Sequence, residues 1–164
     1  MSEEHIYLFT GAVKSGKTST LMKWMAGKSN LYGFLTPDQD GIRKFLDLRT
    51  GNISTMEVIE DFRSSDLLVG KFRFSNAIFQ LGKEIIREAI STTSEYIIID
   101  ELGKLELDDK GFEPELNALI QWFKSERTSS RLIIVVRGSL LNKVLEKYQL
   151  KNVKIVTIDT FHEI

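Results

Sequence analysis

The chain has 164 residues, 42% hydrophobic and 27% charged, with a net charge of −1, values that lead us to expect one globular domain over residues 1–164. Near-neutral charge gives no ground for bulk binding to nucleic acid or to an anionic membrane, and no apolar run approaches the roughly 20 residues that cross a bilayer. The lack of cysteine excludes disulfides, thiolate metal sites and a cysteine nucleophile, and with the acidic start Met1-Ser2-Glu3-Glu4 it fits a cytoplasmic protein.

Residues 5–10 read as the first strand, a short apolar, β-prone run. Gly11-Ala12-Val13-Lys14-Ser15-Gly16-Lys17-Thr18 follows and has the pattern G-x-x-x-x-G-K-T, known as Walker A. Residues 19–26 can form a helix, and Gly27 is a natural stop. Strand, glycine turn and helix make up the context this motif requires. Glycines let backbone N–H groups turn inward around a polyphosphate, and the helix N-terminus adds partial positive charge. The expected nucleotide-binding set is Gly11, Ala12, Val13, Lys14, Ser15, Gly16, Lys17, Thr18 and Ser19. Lys17 is placed to reach the β- and γ-phosphates, and the Thr18 hydroxyl to ligate Mg²⁺. Lys14 sits where many such loops carry glycine, so backbone strain is expected there. Its ammonium is read as facing solvent rather than phosphate.

Residues 31–36 read as a second strand, and Pro37-Asp38-Gln39-Asp40-Gly41 as a turn-rich loop. Residues 42–48 and 53–59 flank Arg49-Thr50-Gly51-Asn52, the pattern of a β-hairpin added antiparallel to the main sheet. Residues 60–66 are polar loop, and 69–74 one more short strand. Ile78, Phe79, Gly82, Ile85, Ile86, Ala89 and Ile90 then recur at helical spacing, with Ser75 or Asn76 as the cap.

Tyr96-Ile97-Ile98-Ile99-Asp100-Glu101 is the second informative stretch: a buried parallel strand that delivers two acids at its C-terminal edge. A helix is expected over 112–126, with Pro114 in its first turn. Residues 132–136 read as a buried strand ending at Arg137-Gly138. A helix marked by Leu140, Leu141, Val144, Leu145 and Tyr148 follows, then a strand over 153–158. Strands alternate with helices apart from the hairpin. The expected fold is therefore α/β, with a mainly parallel sheet between helices.

Asp100 has the setting of the carboxylate that holds magnesium beside a phosphate loop, and Glu101 that of a base orienting an attacking water. Together they complete what hydrolytic phosphoryl transfer needs: cradle, metal and base. Arg137 ends a strand at the edge where such sheets bind ligands. If strand 132–136 lies between the glycine-turn strand and the Asp100 strand, Arg137 points at the phosphates and joins the catalytic set with Lys17 and Glu101. Lys104 is a further charge nearby, read more readily as a surface lysine. His5 and His162 lie near the termini and are read as surface residues.

Ile99-Asp100-Glu101-Leu102-Gly103-Lys104-Leu105-Glu106-Leu107 resembles the Asp-Glu-Ile-Gly-Lys-Met-Glu signature of the small P-loop nucleoside-triphosphatases of thermophilic bacteria and archaea, whose vertebrate member is the cancer-related nucleoside-triphosphatase. Gly33-Phe34-Leu35-Thr36 resembles that family's second strand, and Val69-Gly70-Lys71-Phe72 its Val-Gly-x-Tyr segment. The resemblance runs in patches from about residue 6 to about residue 136. It implies a three-layer P-loop fold with a RecA-like sheet, and Mg²⁺-dependent hydrolysis of ATP, GTP or other nucleoside triphosphates to diphosphates. It also implies phosphate and metal roles for Lys17 and Thr18, a metal role for Asp100 and the base role for Glu101. Two departures mark a divergent member. Val13-Lys14 stands where the family's loop has Pro-Gly, and Thr157-Ile158-Asp159-Thr160 where its last strand is followed by Asn-Arg.

Two other readings remain open from sequence. A nucleotide or small-molecule kinase needs an acceptor site and a basic lid, for which Arg43-Lys44 is the one obvious cluster. A non-catalytic nucleotide switch or adaptor would not need Glu101. Guanine selectivity has no support, since Asn142-Lys143-Val144-Leu145 lacks the aspartate of Asn-Lys-x-Asp.

Overall fold

The structure is a computed structural model and describes residues 3–164. An eight-stranded sheet forms its centre. Five strands run parallel in the order β10 (Lys154–Val156), β1 (Ile6–Gly11), β9 (Arg131–Arg137), β8 (Tyr96–Leu102) and β2 (Leu31–Leu35). The antiparallel strand β4 (Ile42–Asp47) extends the sheet beyond β2 and carries β3 (Asp38–Gln39) and β5 (Ile53–Thr55). This is the expected hairpin addition, with its second arm ending at Thr55 and not at residue 59.

The inner strands are nearly continuous Ile, Leu and Val because both sheet faces are covered. One face packs Ile6, Leu8, Ile97, Ile99, Leu132, Ile134 and Val136 beneath helices α2 (Asn76–Ala89), α4 (Glu115–Ser125) and α5 (Leu141–Lys147). The alternate residues Tyr7, Phe9, Ile98, Ile133 and Val135 face α1 (Lys17–Met25) and Phe161. The result is the expected three-layer α/β architecture.

Three expectations are corrected. Residues 69–74 are not one strand. β6 (Leu67–Val69) and β7 (Phe72–Phe74) pair antiparallel in a separate two-stranded ribbon, turned by Gly70 at φ 59°. The helix expected from residue 112 begins at Glu115, because Phe112 and Glu113 precede the turn set by Pro114. A short helix α3 (Lys104–Leu107) follows β8 and was not foreseen. The buried Glu106 side chain accepts the Gly103 N–H at 2.9 Å and so closes its first turn.

Candidate active site

β1 delivers the glycine turn and α1 receives it. No side chain caps α1, whose N-cap Gly16 lies at φ 90°. Its first-turn N–H groups therefore remain available to an anion. Lys14 adopts φ 57°, the left-handed region its position led us to expect. Its side chain is exposed at the rim of a cleft of about 650 Å³ that runs over Val13–Ser19. Lys17 is buried and folds back to donate to the carbonyls of Gly11 (3.2 Å) and Ala12 (2.7 Å). Burial lowers its pKa and the Arg137 charge adds to this, while Glu101 and Asp100 oppose it.

β9 does lie between β1 and β8, the condition set for Arg137. Arg137 stands in register beside Gly11 at the start of the glycine turn. Its Nη2 approaches Glu101 Oε1 at 3.5 Å, and both side chains are half-buried.

The β8–β9 register shifts between Ile99 and Leu102. Ile97, Ile99 and then Leu102 share one sheet face, so the alternation slips by a residue across Asp100-Glu101. A bulge re-aims side chains at a strand end. Asp100 is turned toward α1, where Thr18 Oγ1 donates to its Oδ2 at 3.1 Å. The backbone N–H of Thr36 donates to the same oxygen at 3.1 Å. Asp100 is 1% exposed. Burial, helped by the Glu101 charge, pushes its pKa up to about 6 against the lowering effect of those two donors and of Arg43.

A divalent cation would relieve that destabilised carboxylate, and the residues present fit one. Thr18 Oγ1 and Asp100 Oδ2 converge, but among the described residues no group of three or more acidic, His or Cys side chains forms a metal cage. Magnesium commonly uses one or two protein oxygens, substrate phosphates and waters, not an all-protein cage.

Arg43 was not in the expected site. It reaches the cleft from β4, with Nη1 donating to Thr36 O at 2.9 Å. Its place in an inserted hairpin gave the sequence no motif to flag it, and only its position beside Lys44 drew notice. Lys104 is exposed on α3 and lies outside the phosphate cleft.

The fold is that of a P-loop protein, and its glycine turn opens on the cleft that Glu101 and Arg137 also line. A family model described as NTPase matches residues 5–162, and the chain belongs to that family: it is a nucleoside-triphosphate phosphohydrolase. It is 25% identical over 158 residues to nucleoside-triphosphatase THEP1 of Archaeoglobus fulgidus, which covers 92% of this chain and 87% of that one. It is 29% identical over 163 residues to the THEP1 of Korarchaeum cryptofilum, with coverage of 84% and 82%. The crystal structure of THEP1 from Aquifex aeolicus superposes with a TM-score of 0.70 at 17% identity, covering 93% of this chain and 89% of that one. The solution structure of a human cancer-related nucleoside triphosphatase gives 0.63 at 20% identity, covering 94% and 88%. At these identities the two structures speak for the fold alone. Among the described residues no helix is long and apolar enough to cross a membrane.

Proposed function

We propose that residues 1–164 act as one Mg²⁺-dependent hydrolase domain that converts ATP, GTP or other nucleoside triphosphates to the diphosphate and phosphate. The observation that carries this reading is one cleft lined by Lys17, Thr18, Glu101 and Arg137, with the buried Asp100 accepting the Thr18 hydroxyl behind it. The N–H groups of the glycine turn and of the α1 N-terminus receive the phosphates. Lys17 leaves the Gly11 and Ala12 carbonyls and turns its ammonium to the β- and γ-phosphates. Thr18 and Asp100 would hold magnesium, which would supply charge neutralisation for the phosphates. Glu101 accepts a hydrogen bond from a water in line with the γ-phosphorus and takes its proton as the water attacks. Arg137 then exchanges Glu101 for the γ-phosphate oxygens and stabilises the charge they gain.

The test is phosphate release from ATP, GTP, CTP and UTP, each with and without Mg²⁺. Release from more than one triphosphate, lost on chelation, is expected. No release from any of the four, or undiminished release in chelator, contradicts the reading.

A further inference from the structure

Arg43, Glu101 and Arg137 line the phosphate cleft and also a second cavity, whose lining includes none of residues 11–18. This second cavity has a volume of about 180 Å³. An attacking water occupies only about 30 Å³, whereas an apolar cavity of about 150 Å³ accepts a benzene ring. Hydrolysis therefore leaves this space unexplained, and its size suits one substituted ring.

Its lining matches that occupant. Met56 and Phe79, with Phe72 and Phe74 from the β6–β7 ribbon, form apolar sides. Phe79 packs with its ring centroid 4.8 Å from that of buried Phe112, which lines the same cavity. The charged lining is Arg43, Lys104 and Arg137 together with the carboxylates of Glu101 and the buried Glu106. Neither Arg43 nor Lys104 forms an ion pair among the described residues. Either would pair with an anionic substituent on the ring. Glu101 reaches the same space, on the side where the γ-phosphate would end.

We propose that this cavity binds a second substrate, a single-ring aromatic alcohol bearing an anionic group, and that the γ-phosphoryl group is transferred to its hydroxyl. Glu101 takes the hydroxyl proton as the alcohol oxygen bonds to the γ-phosphorus. The bond from that phosphorus to the β–γ bridging oxygen breaks, and its electron pair leaves with the diphosphate. The products are a phosphomonoester, the nucleoside diphosphate and the proton. In the absence of the alcohol, water takes its place and the reaction is the hydrolysis proposed above. The inference rests on that reading, because it uses the same cleft and the same base.

The probe is 4-(hydroxymethyl)benzoate at saturation with Mg-ATP, with ADP, phosphate and the benzylic phosphate ester quantified separately by ³¹P NMR. Without probe, ADP and phosphate should form in equal amounts. Absence of both would defeat the hydrolase reading itself. With probe, phosphate should fall below ADP by the amount of ester formed. Equal ADP and phosphate at every probe concentration overturns the second-substrate site while leaving hydrolysis intact.

Two variants locate the transfer. Val69→Trp fills the cavity and should abolish the ester. Lys104→Ala changes an exposed side chain that forms no ion pair among the described residues. It should raise the half-saturating probe concentration about threefold, as loss of an exposed ion pair does, and leave that of uncharged benzyl alcohol unchanged. Ester formation that survives in folded Val69→Trp, or an equal effect of Lys104→Ala on both alcohols, overturns the proposed site.

Discussion

Lys14 holds φ 57° with an exposed side chain, so the glycine turn carries backbone strain there. A left-handed conformation costs a non-glycine residue about 1–2 kcal/mol, partly offset in glycine by about 0.5–1 kcal/mol of extra chain entropy. Lys14→Gly should therefore stabilise the protein by about 0.5 kcal/mol in urea unfolding, and a clear loss of stability would refute the strain. That strain was legible, because the motif itself specifies which loop position turns left-handed. Arg137 was legible only conditionally. Its type and strand-end position could be read directly, but its aim depends on strand order, which local pattern does not encode. Arg137→Ala should lower turnover about 10²-fold, the size of losing one donor to developing charge, with little change in ADP affinity by calorimetry. Equal turnover in the mutant would return Arg137 to a purely structural pairing with Glu101.

Among the elements, β8 shows where alternation stops being a guide. Periodicity locates the strand and its two acids, but the bulge that separates their aims appears only in the pairing with β9. The β6–β7 ribbon was missed for a related reason. Residues 69–74 carry a short apolar pattern, and the turn at Gly70 within it could be told from a continuous strand only by seeing which residues pair. Helix α2 is the opposite case, since its apolar face followed from spacing alone and Gly82 falls on it. The reason for glycine there is tertiary: a Cβ at Gly82 would lie 2.3 Å from Phe112 Cε1, on a ring that is 1% exposed. Gly82→Ala gains about 1 kcal/mol in helix propensity, while displacing a packed ring costs about 1–3 kcal/mol. We expect a net loss of about 1 kcal/mol by urea unfolding; a gain of the full propensity value would show that the Phe112 ring moves freely.

At the scale of the whole molecule, the alternation of strands and helices made the α/β class and the antiparallel addition legible. The sheet order and the joining of two cavities at Glu101 were not, because both arise from long-range contacts. Burial also gives the molecule a pH dependence. It raises the Glu106 pKa from 4.5 to about 7, against the lowering effect of the Gly103 and Phe112 N–H donors. The folded state thus holds this proton more tightly than the unfolded chain. The resulting stability is complete below about pH 4.5 and is lost as pH rises through about 7. Asp100, raised to about 6, adds the same sign in the ligand-free protein. Tm should fall from pH 5 to pH 8 by the equivalent of about 3 kcal/mol for Glu106, and Glu106→Gln should flatten that slope. An unchanged slope would mean that Glu106 is ionised throughout. The central claim is that this chain hydrolyses nucleoside triphosphates with Glu101 as the base, and Glu101→Gln tests it most directly. The amide keeps the size of the side chain but can neither take a proton nor carry charge, while in the proposed site Lys17, Thr18 and Asp100 would still hold the Mg-triphosphate. Single-turnover hydrolysis and equilibrium binding should be measured on the same preparation. The account predicts binding as tight as in the parent, or tighter with one negative charge removed, and a rate lower by roughly 10²–10⁴-fold. A rate within about threefold of the parent, far short of that range, would contradict it.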